Sequence, residues 1–509
     1  MKKIQLLFLT FLIPILSFAQ EKGLDQRIDE AFAPISNFVS EKVFFEIAGY
    51  PFVILLLIGS AAFFTLYFGF PNLRYFSTAI NVVRGKYDDV EKSDSDSNDG
   101  EVSHFQALAT AVSGTVGNGN IAGVALAIAL GGPGATFWMI ICGLIGMSSK
   151  FVECTLGVQY RDVGDDGTIY GGPMYYLTKG LKEKGFKTLG KVAAVFFAIF
   201  CIGGSFGGGN AAQSNQATIV LKQLLGLEST SAGAIIGLVM AILVGIIIIG
   251  GIKRIASVTE KIVPFMALLY LIACLYILLV NFSLVDDAIA LIIKEAFNPT
   301  AMGVGGFIGV LMVGFKRAAF SNEAGVGSAS IAHSAVKTKY SASEGLVALL
   351  EPFIDTVVIC TMTALVIIIF NFGGAFEYGG DGMGIVLIDG VPYEGAGITS
   401  KAFAEYIPYS GVFLTIAVVL FAVSTMISWS YYGLQSWKYL FGRGRIADLT
   451  YKLIFCMFVV IGSAASMSSI WDFSDAMIFA MVFPNMIGLF FLFPVVKEQL
   501  NKYLEAIKS

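Results

Sequence analysis

The stretch SGTVGNGNIAGVA, Ser113 to Ala125, sets four glycines and two asparagines between two apolar runs. A second stretch, VGFKRAAFSNEAGVGSASIAHS from Val313 to Ser334, puts lysine, arginine, serine, asparagine, glutamate and three glycines inside an otherwise apolar run. Glycine costs a helix about 1 kcal/mol relative to alanine, and asparagine prefers caps and turns. A helix broken at such a place frees backbone groups. The N-terminus of the following half-helix offers N–H groups with partial positive charge, suited to a carboxylate. Carbonyls at the end of the preceding half suit a hard monovalent cation such as sodium. Two facing breaks can hold a zwitterion and a cation side by side.

Blander explanations exist for both stretches. Small residues allow close helix packing, which accounts for the glycines but not for Asn118 and Asn120. A polar loop dividing two short helices accounts for Lys316 to Gly325, but it disturbs the charge distribution described below. Charge at membrane depth is costly and faces a cavity or a partner. Unwound backbone is tolerated there only where protein or a cavity surrounds it.

The chain that positions these stretches is 56% hydrophobic and 14% charged over 509 residues, with mean hydropathy +0.77. A soluble domain carries about 25% charged residues. The shortfall extends along most of the length, which indicates a polytopic membrane protein. The net charge of −4 gives no reason to expect nucleic acid. Only two histidines, His104 and His333, are present, and no HExxH pattern, so a zinc enzyme has little support. The six cysteines lie in or beside apolar runs and form no CxxC, which reads as small buried or lipid-facing residues.

Eleven apolar segments are long enough to cross about 30 Å of hydrocarbon. They lie near 50–70, 105–132, 135–160, 191–225, 232–251, 257–281, 303–333, 343–371, 405–437, 449–467 and 473–495. With residue 20 outside, the inward-facing connections and C-terminus carry 22 lysines and arginines against 6 on the outer side. That bias supports eleven helices and a cytoplasmic C-terminus. The two interruptions fall in segments 2 and 7, which then cross in opposite directions. Interrupted helices at matching places of two five-helix halves indicate an inverted-repeat secondary transporter. The expected fold is an all-α polytopic membrane protein of 11 transmembrane helices, a 5+5 inverted repeat of helices 2–6 and 7–11. The halves share no obvious residue identity, so the repeat rests on position alone.

Lys2 and Lys3 precede the apolar run IQLLFLTFLIPILSFA, and Ser17 and Ala19 form a small-x-small site. Residues 1–19 thus read as a signal peptide, with an uncleaved anchor as the alternative. Residues 20–509 form the transporter domain. Within it, 24–45 reads as an amphipathic helix at the outer surface and 88–103 as an acidic, solvated cytoplasmic linker. The outer loop 372–404 is long enough for a small hairpin in GMGIVLIDGVPYEG.

Five runs, HFQALATAVSGTVGNGNIAGVALAIALGGPGATFWM, GGPMYYL (171–177), GNAAQSNQ (209–216), RAAFSNEAGVGSA (317–329) and STMISWSYYG (424–433), resemble the alanine or glycine:cation symporter family of bacteria and archaea. The resemblance covers roughly residues 45–495. It implies the leucine-transporter fold with one helix added at the front, and a multi-pass protein of the bacterial inner membrane. Carried over, it puts the substrate carboxylate at the backbone of Asn118, Gly119 and Asn120, with Asn120 orienting it. Gln213 contacts the amino acid, Trp429 limits side-chain size, and Phe315 or Gly314 meets the ammonium or methyl group. For sodium it implies carbonyls of Ser113 and Val116 with hydroxyls of Ser424 and Thr425. The residues alone leave other roles open. Gln213 and Asn215 can bond neighbouring helices, Trp429 can belong to an interfacial belt, and Ser424 and Thr425 can bond back to their own helix. Lys150 and Glu153, three apart, can pair, as can Glu323 with Lys316 or Arg317. The family commonly has threonine where this chain has Asn118, which leaves the preferred amino acid open.

The expected activity is sodium-coupled uptake of a small neutral amino acid, alanine and/or glycine, by alternating access. It calls for sodium as coupling ion, no organic cofactor, a lipid membrane and a monomeric chain. Proton coupling of the same substrates is the nearest alternative. An intramembrane enzyme lacks a base beside its serine candidate, a sensor lacks an appended signalling module, and no GxxxxGK[ST] motif supports ATP driving.

Overall fold

The computed structural model describes residues 23–508, except 92–99, 166, 228, 230, 299–305, 380, 381 and 383. The signal-peptide reading of residues 1–19 lies outside the described residues. Helices occupy all eleven apolar segments: Phe52–Tyr67 in segment 1, His104–Thr115 and Val124–Gly131 in segment 2, Gly134–Gln159 in segment 3, and Lys187–Phe206 with Ala212–Leu225 in segment 4. Ala232–Ile248, Gly251–Val280 and Gly306–Asn322 with Ser330–His333 follow as segments 5 to 7. Segment 8 runs from Ser341 to Phe370; Ser410–Phe441, Arg445–Ala464 and Met467–Ala506 are segments 9 to 11. Seven of the described helices are long and apolar enough to cross a membrane. His104–Thr115 and Gly119–Gly131 pass that test together, bent by 50°.

Burial runs opposite to a soluble protein. Of the seven long apolar helices, segment 6 has the highest mean hydropathy, 2.6, yet only 33% of its apolar stretch is inside the molecule. Its outward face carries Phe265, Leu268, Ile272, Leu275 and Leu279. Segment 3 is less apolar, at 1.5, and 67% buried, because its inner face carries Lys150 and Glu153. An apolar exterior around a polar interior is what a lipid solvent selects.

The amphipathic helix Leu24–Val43 lies across the start of segment 11. Phe32 meets Phe473 edge-on at 5.1 Å. Asp25 accepts the Gly233 and Ala234 amides, each at 3.2 Å, and Asp29 accepts that of Ser466 at 2.9 Å. Two carboxylates of one helix thus cap the N-termini of segments 5 and 11.

The acidic stretch 88–103 is packed at both ends. Glu91 is buried, and its carboxylate receives Tyr503 Oη at 2.6 Å and Thr338 Oγ1 at 3.0 Å. Val102 bridges to Val336, and its carbonyl accepts the Lys337 amide at 2.8 Å. Composition averages over a window and misses such single anchoring residues. Between residues 372 and 404 a hairpin pairs Val386–Ile388 with Val391–Tyr393. Its turn residues Asp389 and Gly390 have φ of 54° and 77°, the left-handed pair that a tight two-residue hairpin requires. The following helix, Ala396–Tyr406, reaches segment 2 through Thr399 Oγ1, which donates to the Ile121 carbonyl at 3.1 Å.

Candidate functional site

Segment 2 loses its α-helical register after Thr115 and resumes through a π-helical turn, Gly119–Gly123. Gly117 sits where an added Cβ would overlap Thr425 Oγ1 and stand 3.0 Å from Gln213 Oε1, so only glycine lets segments 4 and 9 approach this closely. Gln213 is built into the break. Its Oε1 accepts the Asn118 amide at 3.0 Å, its carbonyl accepts Asn118 Nδ2 at 3.1 Å, and its own Nε2 donates to the Gly208 carbonyl at 2.9 Å. Asn118 Oδ1 is buried without a hydrogen-bond partner among the described residues. The amides of Asn120 to Gly123 fold back on the carbonyls of Gly117 and Asn118.

Of the four residues named for sodium, Ser113 of segment 2 meets Ser424 and Thr425 of segment 9. Thr425 Oγ1 donates to the Ser113 carbonyl at 3.0 Å, and Ser113 Oγ donates to the Ser424 carbonyl at 2.8 Å. Ser424 turns its own hydroxyl to the Phe421 carbonyl at 2.9 Å, back along its helix. Val116 closes the first half-helix and is fully buried.

Segment 7 breaks at Glu323–Ala329, later than its glycine at 314 suggests. Gly314 and Phe315 lie within continuous helix, more than two turns before the break. A Cβ on Gly314 would stand 2.6 Å from the Ala135 carbonyl, and the Phe315 ring packs 6.4 Å from Trp138, so both face segment 3. The residue that brings the two broken segments together is Ser321, whose Cα would stand 3.3 Å from a Cβ on Gly119. Asn120 turns to the same place: its Oδ1 accepts the Gly117 amide at 2.8 Å, and its Nδ2 donates to Asp355 Oδ1 at 2.6 Å. Ser321 Oγ and Thr356 Oγ1 also donate to Asp355, at 2.9 and 2.7 Å. Asp355 is fully buried and makes no ion pair among the described residues. The available signal was a single acid inside the apolar run FIDTVV of segment 8, and an intramembrane ionisable residue is a functional candidate on that ground alone.

Trp429 is walled in by segments 4 and 7. Gly209 lies in a second π-helical turn, Gly207–Ala211, and a Cβ there would overlap Trp429 Cβ and Cγ. The indole N–H donates to Glu323 Oε1 at 2.9 Å. Asp355 occupies a third such turn, Phe353–Cys360, so all three described π-turns adjoin the breaks or their wall. Gly209→Ala is expected to cut uptake of the transported amino acid at least tenfold while folded yield stays within about twofold, since overpacking forces the indole to move. Wild-type uptake by this variant would show that the close approach carries no constraint.

The charged residues pair across segments. Lys150 meets Glu351 at 3.0 Å, while Glu153 accepts Asn485 Nδ2 at 2.7 Å. Lys316 meets Asp475 at 2.9 Å and Arg317 meets the same carboxylate, so neither reaches Glu323. The Arg317 guanidinium lies over the stacked rings of Phe320 and Trp471, at 5.6 and 5.4 Å. Arg317, Phe320 and Trp471 form one packed cluster of segments 7 and 11, with Phe320 beside Gly208 of segment 4. Asn215 donates to the Gly462 and Ala465 carbonyls, bonding segment 4 to segment 10 rather than facing the break.

Residues 35–509 match the model of the sodium:alanine symporter family. The chain is 40% identical over 460 residues to the sodium/alanine symporter AgcS of Methanococcus maripaludis, covering 90% of this chain and 95% of the relative. It is 32% identical to the probable sodium/glutamine symporter GlnT of Bacillus subtilis, covering 90% and 88%. The two names carry different amino acids, so similarity alone leaves the substrate open. Among solved structures, MhsT in complex with L-phenylalanine superposes with a TM-score of 0.53 at 16% identity, over 76% of this chain and 88% of that one. That likeness establishes the leucine-transporter fold.

Proposed function

The chain belongs to the sodium:alanine symporter family, and we propose that it couples sodium influx to uptake of a small neutral amino acid, alanine or glycine, by alternating access. The observation that carries this reading is the segment 2 break, met within hydrogen-bonding distance by Gln213 of segment 4 and packed against Ser321 of segment 7. The carboxylate is received at the Gly119 backbone, between the Asn118 amide held by Gln213 and the amides of Asn120 to Gly123 that fold back on Gly117 and Asn118. Asn118 Oδ1, an acceptor without a partner among the described residues, suits the ammonium. Trp429 bounds the side chain. The Ser113 and Val116 carbonyls with Thr425 Oγ1 serve the cation, and Asp355 supplies the negative charge that a cation balances. Arg317 and Asp475 close the outer side of the site, with the C-terminus in the cytoplasm of a bacterial inner membrane.

Labelled alanine and glycine, presented to proteoliposomes under inward sodium, potassium or proton gradients, test this. Accumulation is expected with sodium only. Accumulation driven by protons alone would favour the second reading, proton coupling, which the buried carboxylates Asp355 and Glu323 support. Equal uptake without any cation gradient overturns coupled symport.

A further inference from the structure

We infer that Glu323 pins the Trp429 indole and so determines the largest side chain this carrier admits. The inference rests on the proposed amino-acid site and adds a positioning residue to it. Glu323 is the first residue of the segment 7 break and is buried. Its φ is 55°, a left-handed conformation that a glutamate seldom adopts and that surrounding contacts must hold. Those contacts are the Trp429 N–H on Oε1, at 2.9 Å, and the Ser328 hydroxyl on Oε2. The carboxylate makes no ion pair among the described residues; the two cations about two turns earlier on its helix, Lys316 and Arg317, are taken by Asp475.

A tryptophan has one polar hydrogen, so a buried indole has one orientation in which that hydrogen is satisfied. The flanking positions leave that orientation open by absence of side chain. Gly209 lies under the first atoms of the side chain, and a Cβ on Gly204 would stand 3.3 Å from Trp429 Cζ3. Tyr432 packs edge-on at 5.4 Å. Glycine backbones admit the ring but do not select its rotation; the hydrogen bond to Glu323 does. Released from that bond, the indole keeps its glycine contacts but loses the one polar contact that fixes its rotation, and the pocket wall is no longer held.

Three variants test this in proteoliposomes: Glu323→Ala removes the acceptor, Trp429→Phe removes the donor, and Glu323→Gln keeps an acceptor oxygen. The readout is the ratio of the alanine KM to the inhibition constants of valine and leucine, which a loss of folded protein does not move. Glu323→Ala and Trp429→Phe are each expected to lower discrimination against leucine at least tenfold. The double variant is expected to match the single ones, since both act through one bond. Glu323→Gln is expected to stay within about threefold of wild type. An unchanged ratio in Trp429→Phe overturns the inference even if Glu323→Ala does not fold. So does a double variant whose ratio shows the two effects adding. If the wild-type chain takes up no small neutral amino acid, the proposed function fails instead, and the two failures are told apart.

Discussion

Glu344→Ala is expected to destabilise the folded carrier by about 3–5 kcal/mol, the range for stripping a partner from a buried ion pair. Glu344 is fully buried in segment 8 and stands between both histidines of the chain. Its Oε2 meets His104 Nδ1 of segment 2, and its Oε1 meets His333 Nδ1 of segment 7 at 2.5 Å. The chain of contacts continues at either end. His104 Nε2 reaches Glu91 at 2.6 Å; His333 Nε2 lies 3.5 Å from Glu351, which meets Lys150 of segment 3 at 3.0 Å. Removing the central carboxylate deprives two rings of a partner and opens a void in a tightly packed interior. Glu344→Gln keeps the volume and one acceptor and is expected to lose less than half as much. Denaturant or thermal unfolding in detergent measures both. A loss below about 1 kcal/mol for the alanine variant would show that His104 and His333 are adequately served by Glu91 and Glu351.

Asp355→Asn is expected to raise the sodium concentration for half-maximal uptake at least tenfold, about 1.4 kcal/mol of cation binding. At saturating sodium the affinity for the amino acid is expected to stay within about threefold, because the substitution removes charge and preserves shape. Asp355 holds Asn120, Ser321 and Thr356 in one hydrogen-bonded cluster. Ser321 and Thr356 can reverse their hydroxyls to face an amide, so the cluster survives the change. What is lost is a negative charge in a low-dielectric interior, where attraction for a cation is far stronger than in water. Uptake measured against sodium concentration checks this, and an unaltered sodium curve removes Asp355 from cation binding. Thr425→Ala, which takes a hydroxyl from the Ser113 carbonyl, provides the comparison for the neutral ligand set.

Much of the architecture was legible from the sequence because a membrane imposes a one-dimensional rule. Apolar runs must be helices of a given length, and helices stand in all eleven segments. The segment 2 break was legible for the same reason: glycine and asparagine conflict with helix wherever they cluster. Segment 7 was harder. Gly314 stands out in the sequence, but an isolated glycine in a helix is tolerated, and here it makes room for segment 3. The break falls where Glu323, Gly325 and Gly327 all take positive φ. Charge pairing was least legible. The i, i+3 rule sees only partners on one helix, so it suggested Glu153 for Lys150, and Lys316 or Arg317, on the same segment, stood as the candidates for Glu323. The partners found, Glu351 and Trp429, are 201 and 106 residues away in the chain.

By itself the sequence determined the class of molecule, its segments and the presence of both interruptions, because hydropathy and helix propensity are local quantities. Only the tertiary structure decided what those interruptions face: Gln213 and Thr425 at Gly117, Asp355 at Asn120, Trp429 at Glu323. A buried polar group must find its partner somewhere, but local chemistry sets only that demand. The packing of distant helices chooses which group answers it.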